Sequence, residues 1–303
     1  MIYTVTLNPS IDLIVEVPDF HLNQVNRSER ENKFPGGKGI NVSRILQAIN
    51  VPSVAFGYIG GFTGAYIQHA LESEGIQTDF VNVRDDSRIN IKLKAVNETE
   101  INGQGPTLSE QNIRDLYTKL ERLQAGDILI LAGSIPPSLP TTFYCDLTEK
   151  YRRRGVKVVV DAGGKVLAEV LQYQPFLVKP NHHELCDLFG VAMSTVEEII
   201  PYGKKVIAMG ADNVIVSMAG DGALLFTNNA VYIATVPQGQ VVNSVGAGDS
   251  LVAGFIGTYA KYQDYHKAFQ VAVAAGSATA FSKDLASKEQ IDLLINQVVI
   301  KKI

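Results

Sequence analysis

Short runs of consecutive apolar residues alternate along the chain with stretches whose apolar positions recur every three or four residues. Asp127–Gly133 (DILILAG), Val156–Ala162 (VKVVVDA), Phe176–Asn181 (FLVKPN) and Asn213–Met218 (NVIVSM) are of the first kind. Such runs are too short for buried helices and show no polar alternation, so they predict parallel strands covered on both faces. The stretch EQNIRDLYTKLERLQAG is of the second kind. Its Ile113, Leu116, Leu120 and Leu123 share one helical face, and Gly126 closes it. This succession of strands and helices predicts an α/β fold, a doubly wound and mostly parallel sheet.

Two segments follow another rule. SIDLIVEVPDF places Ile11, Leu13, Val15 and Val17 against Asp12 and Glu16, and RINIKLKAVNETEIN alternates Ile89, Ile91 and Leu93 with Asn90, Lys92 and Lys94. Period-two alternation predicts strands with one wet face. They form a small antiparallel β-sheet, built from about residues 11–34 and 88–104 and set as a lid on a single domain spanning 1–303. No repeat, low-complexity tract or linker interrupts it.

Composition narrows the function. The 303 residues are 46% hydrophobic and 19% charged, as in an ordinary globular protein, and the net charge of −4 gives no electrostatic case for nucleic acid or an anionic membrane. No apolar run reaches transmembrane length, and the first residues lack a basic start and cleavage site, which predicts a cytoplasmic protein. Cys145 and Cys186 suggest neither a disulfide framework nor a zinc cluster.

The candidate chemistry sits in four glycine-marked places. NSVGAGDS places Gly246, Ala247 and Gly248 before Asp249 and an apolar helix. An acid there can simply favour the helix N-terminus. Bare backbone amides at a helix start also form an anion site, and an acid beside them can take a proton from an attacking hydroxyl. PGGKGINVSRIL opens a second helix with Gly36, Gly37 and Gly39, while Lys38 and Asn41 offer donors. VKPNHHEL ends a strand and sets Asn181 three residues before Glu184. That pair suits a hydrated Mg²⁺, and equally an Asn helix cap with Glu in the first turn. His182 and His183 read as surface residues. SMAGDGALLF carries Gly220 and Gly222 between two strands, as a hairpin turn would. No Gly-x-Gly-x-x-Gly follows the first strand and no P-loop occurs, which argues against a nicotinamide oxidoreductase and a P-loop nucleotidase. Two glycine-rich helix openings, one with a cation and one with an acid, suggest that a phosphorylated substrate meets a phosphoryl donor.

With these motifs in view, the chain resembles the ribokinase-like sugar kinases, the PfkB carbohydrate kinase family. The likeness runs in order through TLNPSID, GGKGINV, GSIPP, KPNHHEL, SVGAGDS and AAGSATAF, nearly the whole chain. It implies a ribokinase-like fold with a small β-sheet lid, ATP as donor, Mg²⁺ and pairing as a homodimer through the lid. TLNPSID, Lys38 and RINIKL look most like the members that phosphorylate D-fructose 1-phosphate, with tagatose 6-phosphate as the alternative substrate. By resemblance, Asp249 is the catalytic base, and Gly246, Ala247 and Gly248 form the anion hole. Asp12, Gly36, Gly37 and Asn41 hold the sugar, while Arg27, Lys38 and Arg88 neutralise its phosphate. Ser217, Gly220, Gly222, Gly248, Ala275, Gly276 and Thr279 bound the ATP site, and Asn181 and Glu184 hold Mg²⁺ through water. The family's Ser-Leu-Gly-Ala-Asp-Gly stands here as SMAGDG, its Asp-x-Ser-Gly as DAGG with Gly163, and FSKDLAS lacks an Asn-x-Gly. The competing class is a catalytically silent sugar-phosphate-binding regulator, against which the intact Asp249 argues.

Overall fold

The computed structural model describes residues 1–303. Its frame is an eleven-stranded sheet. Ile2–Thr6, Ser53–Gly60, Ile128–Ala132, Lys157–Asp161, Leu177–Val178 and Asn213–Ser217 run parallel, and an antiparallel edge follows through Ala223–Thr227, Val231–Ala234 and Ile300–Lys302. The predicted parallel strands are all present, with Leu177–Val178 shorter than its apolar run.

The continuous apolar runs have a plain cause. Successive side chains of a strand point to opposite faces, and here both faces are covered. Leu129, Leu131, Val158 and Val160 enter the core on one face, whereas Ile128, Ile130 and Val159 enter the core on the other. Helix Ala247–Tyr262 belongs to the second core and packs on both Lys38–Ala48 and Tyr265–Ala280. It is therefore apolar almost all round. Helix Glu110–Leu120 starts at Ser109, whose hydroxyl accepts from the Asn112 amide at 3.2 Å in a capping box. No helix is long and apolar enough to cross a membrane.

The small sheet has the order Arg30–Gly36, Ser10–Glu16, Arg88–Lys94, Thr99–Asn102. Its outer pairs are antiparallel, but its central pair, Ser10–Glu16 with Arg88–Lys94, is parallel, against the all-antiparallel expectation. Both central strands follow directly on parallel strands of the large sheet, Ile2–Thr6 and Val81–Val83, and so leave that sheet in the same direction. The burial is also reversed in Arg88–Lys94, although Ile11 of Ser10–Glu16 is buried as its alternation predicts. Asn90 and Lys92, from the polar side of the alternation, are buried beneath the small sheet, whereas Ile89 is 39% and Ile101 57% exposed. The face expected to be wet is turned toward the large sheet.

Candidate active site

Parallel strands bring their carboxyl ends to one edge, where an open α/β sheet places its ligands. Here that edge and the small sheet enclose a cleft of about 570 Å³. Asn8, Ser134, Lys179 and Ser217, from the ends of four strands of the large sheet, line its floor; Asp12, Arg88, Asn90 and Lys92 line its roof. Gly246, Gly248 and Asp249 close one end.

Asp249 lies in the first turn of Ala247–Tyr262 and is 5% exposed. Gly246 precedes that helix with φ +80°, and a Cβ there would stand 2.6 Å from Leu285, so this entry turn requires glycine. The first amides of a helix have no carbonyl partner within it. That of Ala247 turns back to Ser244 O at 3.2 Å, so the predicted anion hole narrows to the amides around Gly246, Gly248 and Asp249. Asn41, expected to hold a sugar hydroxyl, donates from Nδ2 to Asp249 Oδ2 at 2.8 Å. Burial, followed by the charge of Asp161, pushes the Asp249 carboxyl up to about 6; Lys38, the Asn41 bond and Lys179 pull the other way.

Lys38 does not stand free in its glycine turn. Its Nζ lies 3.1 Å from Asp161 Oδ1, and Lys179 Nζ lies 3.5 Å from the same oxygen. Burial opposes the charge on Lys38, but Asp161, with a smaller contribution from Asp249, holds the ammonium above its ordinary range. Burial likewise opposes the Asp161 carboxylate, and the two lysines hold it below its ordinary range.

The roof is a second polar network. Asp12 Oδ1 accepts from Ser10 Oγ at 2.7 Å and from Asn90 Nδ2 at 3.1 Å, and Lys92 Nζ lies 3.5 Å from Oδ2. Gly36 lies against this carboxylate: a Cβ would sit 2.5 Å from Asp12 Oδ1. Arg88 donates to Asn8 O at 3.1 Å and Gly103 O at 3.3 Å, which fixes its guanidinium at the cleft wall.

Other expected site residues are not brought together. Arg27 lies on an exposed irregular loop outside the cleft. Ala275, Gly276 and Thr279 are buried in Tyr265–Ala280 behind the Asp249 helix and do not line the cleft. A Cβ on Gly276 would stand 3.1 Å from Ala247 O, and Thr279 Oγ1 bonds Ser250 Oγ at 2.8 Å. Their smallness and polarity brace the helix pair rather than form cleft surface. Gly220 and Gly222 lie in the tight turn joining Asn213–Ser217 to Ala223–Thr227, as the hairpin reading has it, and only Ser217 of that group reaches the cleft. The exchange in SMAGDG puts Ala219, not a glycine, at φ +50°.

Asn181 and Glu184 form the reciprocal cap. Asn181 Oδ1 accepts from the Glu184 amide and Glu184 Oε2 from the Asn181 amide, each at 2.8 Å. The cap ties one oxygen of each residue. A serine in place of Gly163 would force the other Glu184 oxygen to shift, because a Cβ there lies 2.6 Å from Oε1. No cluster of three His, Cys, Asp or Glu side chains exists to cage a metal. One amide and one carboxylate at the cleft edge fit a cation that keeps most of its water, as Mg²⁺ does.

Asn90, Lys92 and Lys179 line the cleft, and Asp161 lies buried against Lys38 and Lys179, yet motif spacing singles out none of the four. Two of them left a signal: VKVVVDA and FLVKPN each place a lone charge at the carboxyl end of an apolar run, where a strand buried on both faces meets the ligand edge.

The sequence profile of the pfkB family carbohydrate kinases matches residues 5–291. The chain is 52% identical to the 1-phosphofructokinase of Bacillus subtilis (strain 168) over 100% of both chains. It is 38% identical to the D-tagatose-1-phosphate kinase of Bacillus licheniformis over 99% of each. Among solved structures, the phosphofructokinase-2 from Escherichia coli, in complex with substrates and products, superposes with a TM-score of 0.93 at 27% identity, with 98% of both chains covered.

Proposed function

The chain belongs to the pfkB family of carbohydrate kinases, and from that premise we propose that it transfers the terminal phosphoryl group of ATP to the 6-hydroxyl of D-fructose 1-phosphate, yielding D-fructose 1,6-bisphosphate. The observation that carries this reading is Asp249: a buried carboxyl beside bare helix-start amides, facing across one cleft a wall that bears Arg88 and Lys92. The full-length identity to a 1-phosphofructokinase supports the choice of sugar phosphate. Tagatose phosphates are the second reading, supported by the lower identity to a tagatose-1-phosphate kinase.

In this mechanism Asp12 holds sugar hydroxyls from the roof, and the cations there meet the substrate's existing phosphate. Asp249 accepts the proton of the attacking hydroxyl as the oxygen bonds to phosphorus and ADP departs. The amides around Gly246 and Gly248 receive the charge spread over the transferring oxygens. When bound, Mg²⁺ neutralises charge on the donor phosphates; Asn181 and Glu184 would hold it through its water. Ser217 marks the nucleotide side of the cleft. The small sheet serves as the lid of a single domain, excluding water when it closes. Its outward Ile89 and Ile101 suit pairing of two copies through their lids, so a dimer is expected in sedimentation and a monomer would contradict it.

Release of ADP with fructose 1-phosphate is expected only when Mg²⁺ is present. Glu184→Gln should raise the Mg²⁺ concentration for half-activity, because water bound to the ion loses an anionic acceptor. If the pair serves only as a cap, the Mg²⁺ titration keeps its midpoint and only stability falls.

A further inference from the structure

Asp161 ends the strand Lys157–Asp161 and is 1% exposed. One carboxylate oxygen serves two ammonium groups from different elements, Lys38 at 3.1 Å and Lys179 at 3.5 Å, while Oδ2 has no hydrogen-bond partner. Lys179 is itself buried, and its Nζ stands 3.1 Å from where a Cβ on Gly248 would be. That places its ammonium against the loop expected to receive the transferring group. A buried ion cluster is weak evidence for stability, since apolar replacements often serve as well. Two cations on one anion leave net positive charge beside helix-start amides, where a phosphoryl group develops negative charge.

We propose that Asp161 is a positioning residue for phosphoryl transfer, whose carboxylate holds the Lys179 ammonium against the Gly246–Gly248 loop and keeps Lys38 Nζ beside it. This rests on the kinase reading with Asp249 as base. The charged and polar groups facing Asp249 are Asp161, which favours its protonated form, and Lys38, Lys179 and Asn41, which favour its ionised form.

The test is kcat/KM for fructose 1-phosphate against pH, with saturating ATP and Mg²⁺, for the parent enzyme, Asp161→Asn and Lys179→Gln. In the parent, a base that must be ionised loses activity as pH falls through about 6. Each variant is expected to lose at least about tenfold in kcat. The acid limb should move by about one pH unit in opposite directions, lower without the Asp161 anion and higher without the Lys179 cation. Limbs that superimpose on the parent's, in variants folded by circular dichroism, would overturn the proposal whatever the loss of rate. If Asp161→Asn does not fold, Lys179→Gln decides alone, since it leaves Asp161 paired with Lys38. A parent profile without an acid limb near pH 6 would contradict Asp249 as base and remove the proposal with it. A parent limb that neither variant moves would count against the proposal alone.

Discussion

Asp249→Asn is expected to lower kcat for fructose 1-phosphate by about a hundredfold to ten-thousandfold, the usual range for a general base. The amide has nearly the same shape, and its oxygen can still accept from Asn41 Nδ2, the bond made at 2.8 Å by Asp249. The helix start and its amides therefore persist, and ATP should bind with little change. What disappears is the acceptor for the hydroxyl proton. Removal of that group acts on the transition state, so kcat and kcat/KM should fall together. Near-normal turnover in a folded Asn variant would end the assignment of Asp249 and leave its burial as a packing feature.

Arg88→Ala is expected to raise KM for fructose 1-phosphate by about 10- to 150-fold and to leave KM for ATP nearly unchanged. That range corresponds to the loss of a charge-assisted hydrogen bond, about 1.5–3 kcal/mol. The guanidinium is held to Asn8 O and Gly103 O, which leaves its remaining N–H groups for a ligand in the cleft it lines. Arg88→Lys should recover only part of the loss, because the ammonium keeps the charge but not the planar fork. Equal rises in both KM values would show that Arg88 merely supports the hairpin, and would contradict its role at the sugar phosphate.

What was legible in the chain was local. DILILAG and NVIVSM read as buried strands because burial on both faces leaves no polar position, and Asp249 stood out because glycines, an acid and an apolar helix were contiguous. The alternation in RINIKL revealed a strand but not which face turns inward. Its polar face, with Asn90 and Lys92, is buried because it packs beside Asp12 of the neighbouring strand and faces the cleft. The parallel pairing of Ser10–Glu16 with Arg88–Lys94 is a fact of topology, set by where the large sheet releases each strand. Asp161 and Lys179 meet only because their strands end on one edge, with Lys38 arriving from a distant turn. Ala275 and Thr279 are buried in the helix behind Asp249, where Thr279 bonds Ser250, a placement that a motif's position along the chain does not show.

On this reading the cleft phosphorylates a ketohexose already phosphorylated at C1. The most direct test is kcat/KM by ADP release, measured in parallel on fructose 1-phosphate, tagatose 1-phosphate, tagatose 6-phosphate, fructose 6-phosphate and free fructose. Fructose 1-phosphate is expected to give the highest value. Free fructose should fall at least about tenfold below it, since it leaves Arg88 without a carboxylate or phosphate partner and Lys92 with Asp12 alone. Free fructose turned over as efficiently as fructose 1-phosphate would contradict the claim, because no phosphate subsite would then exist.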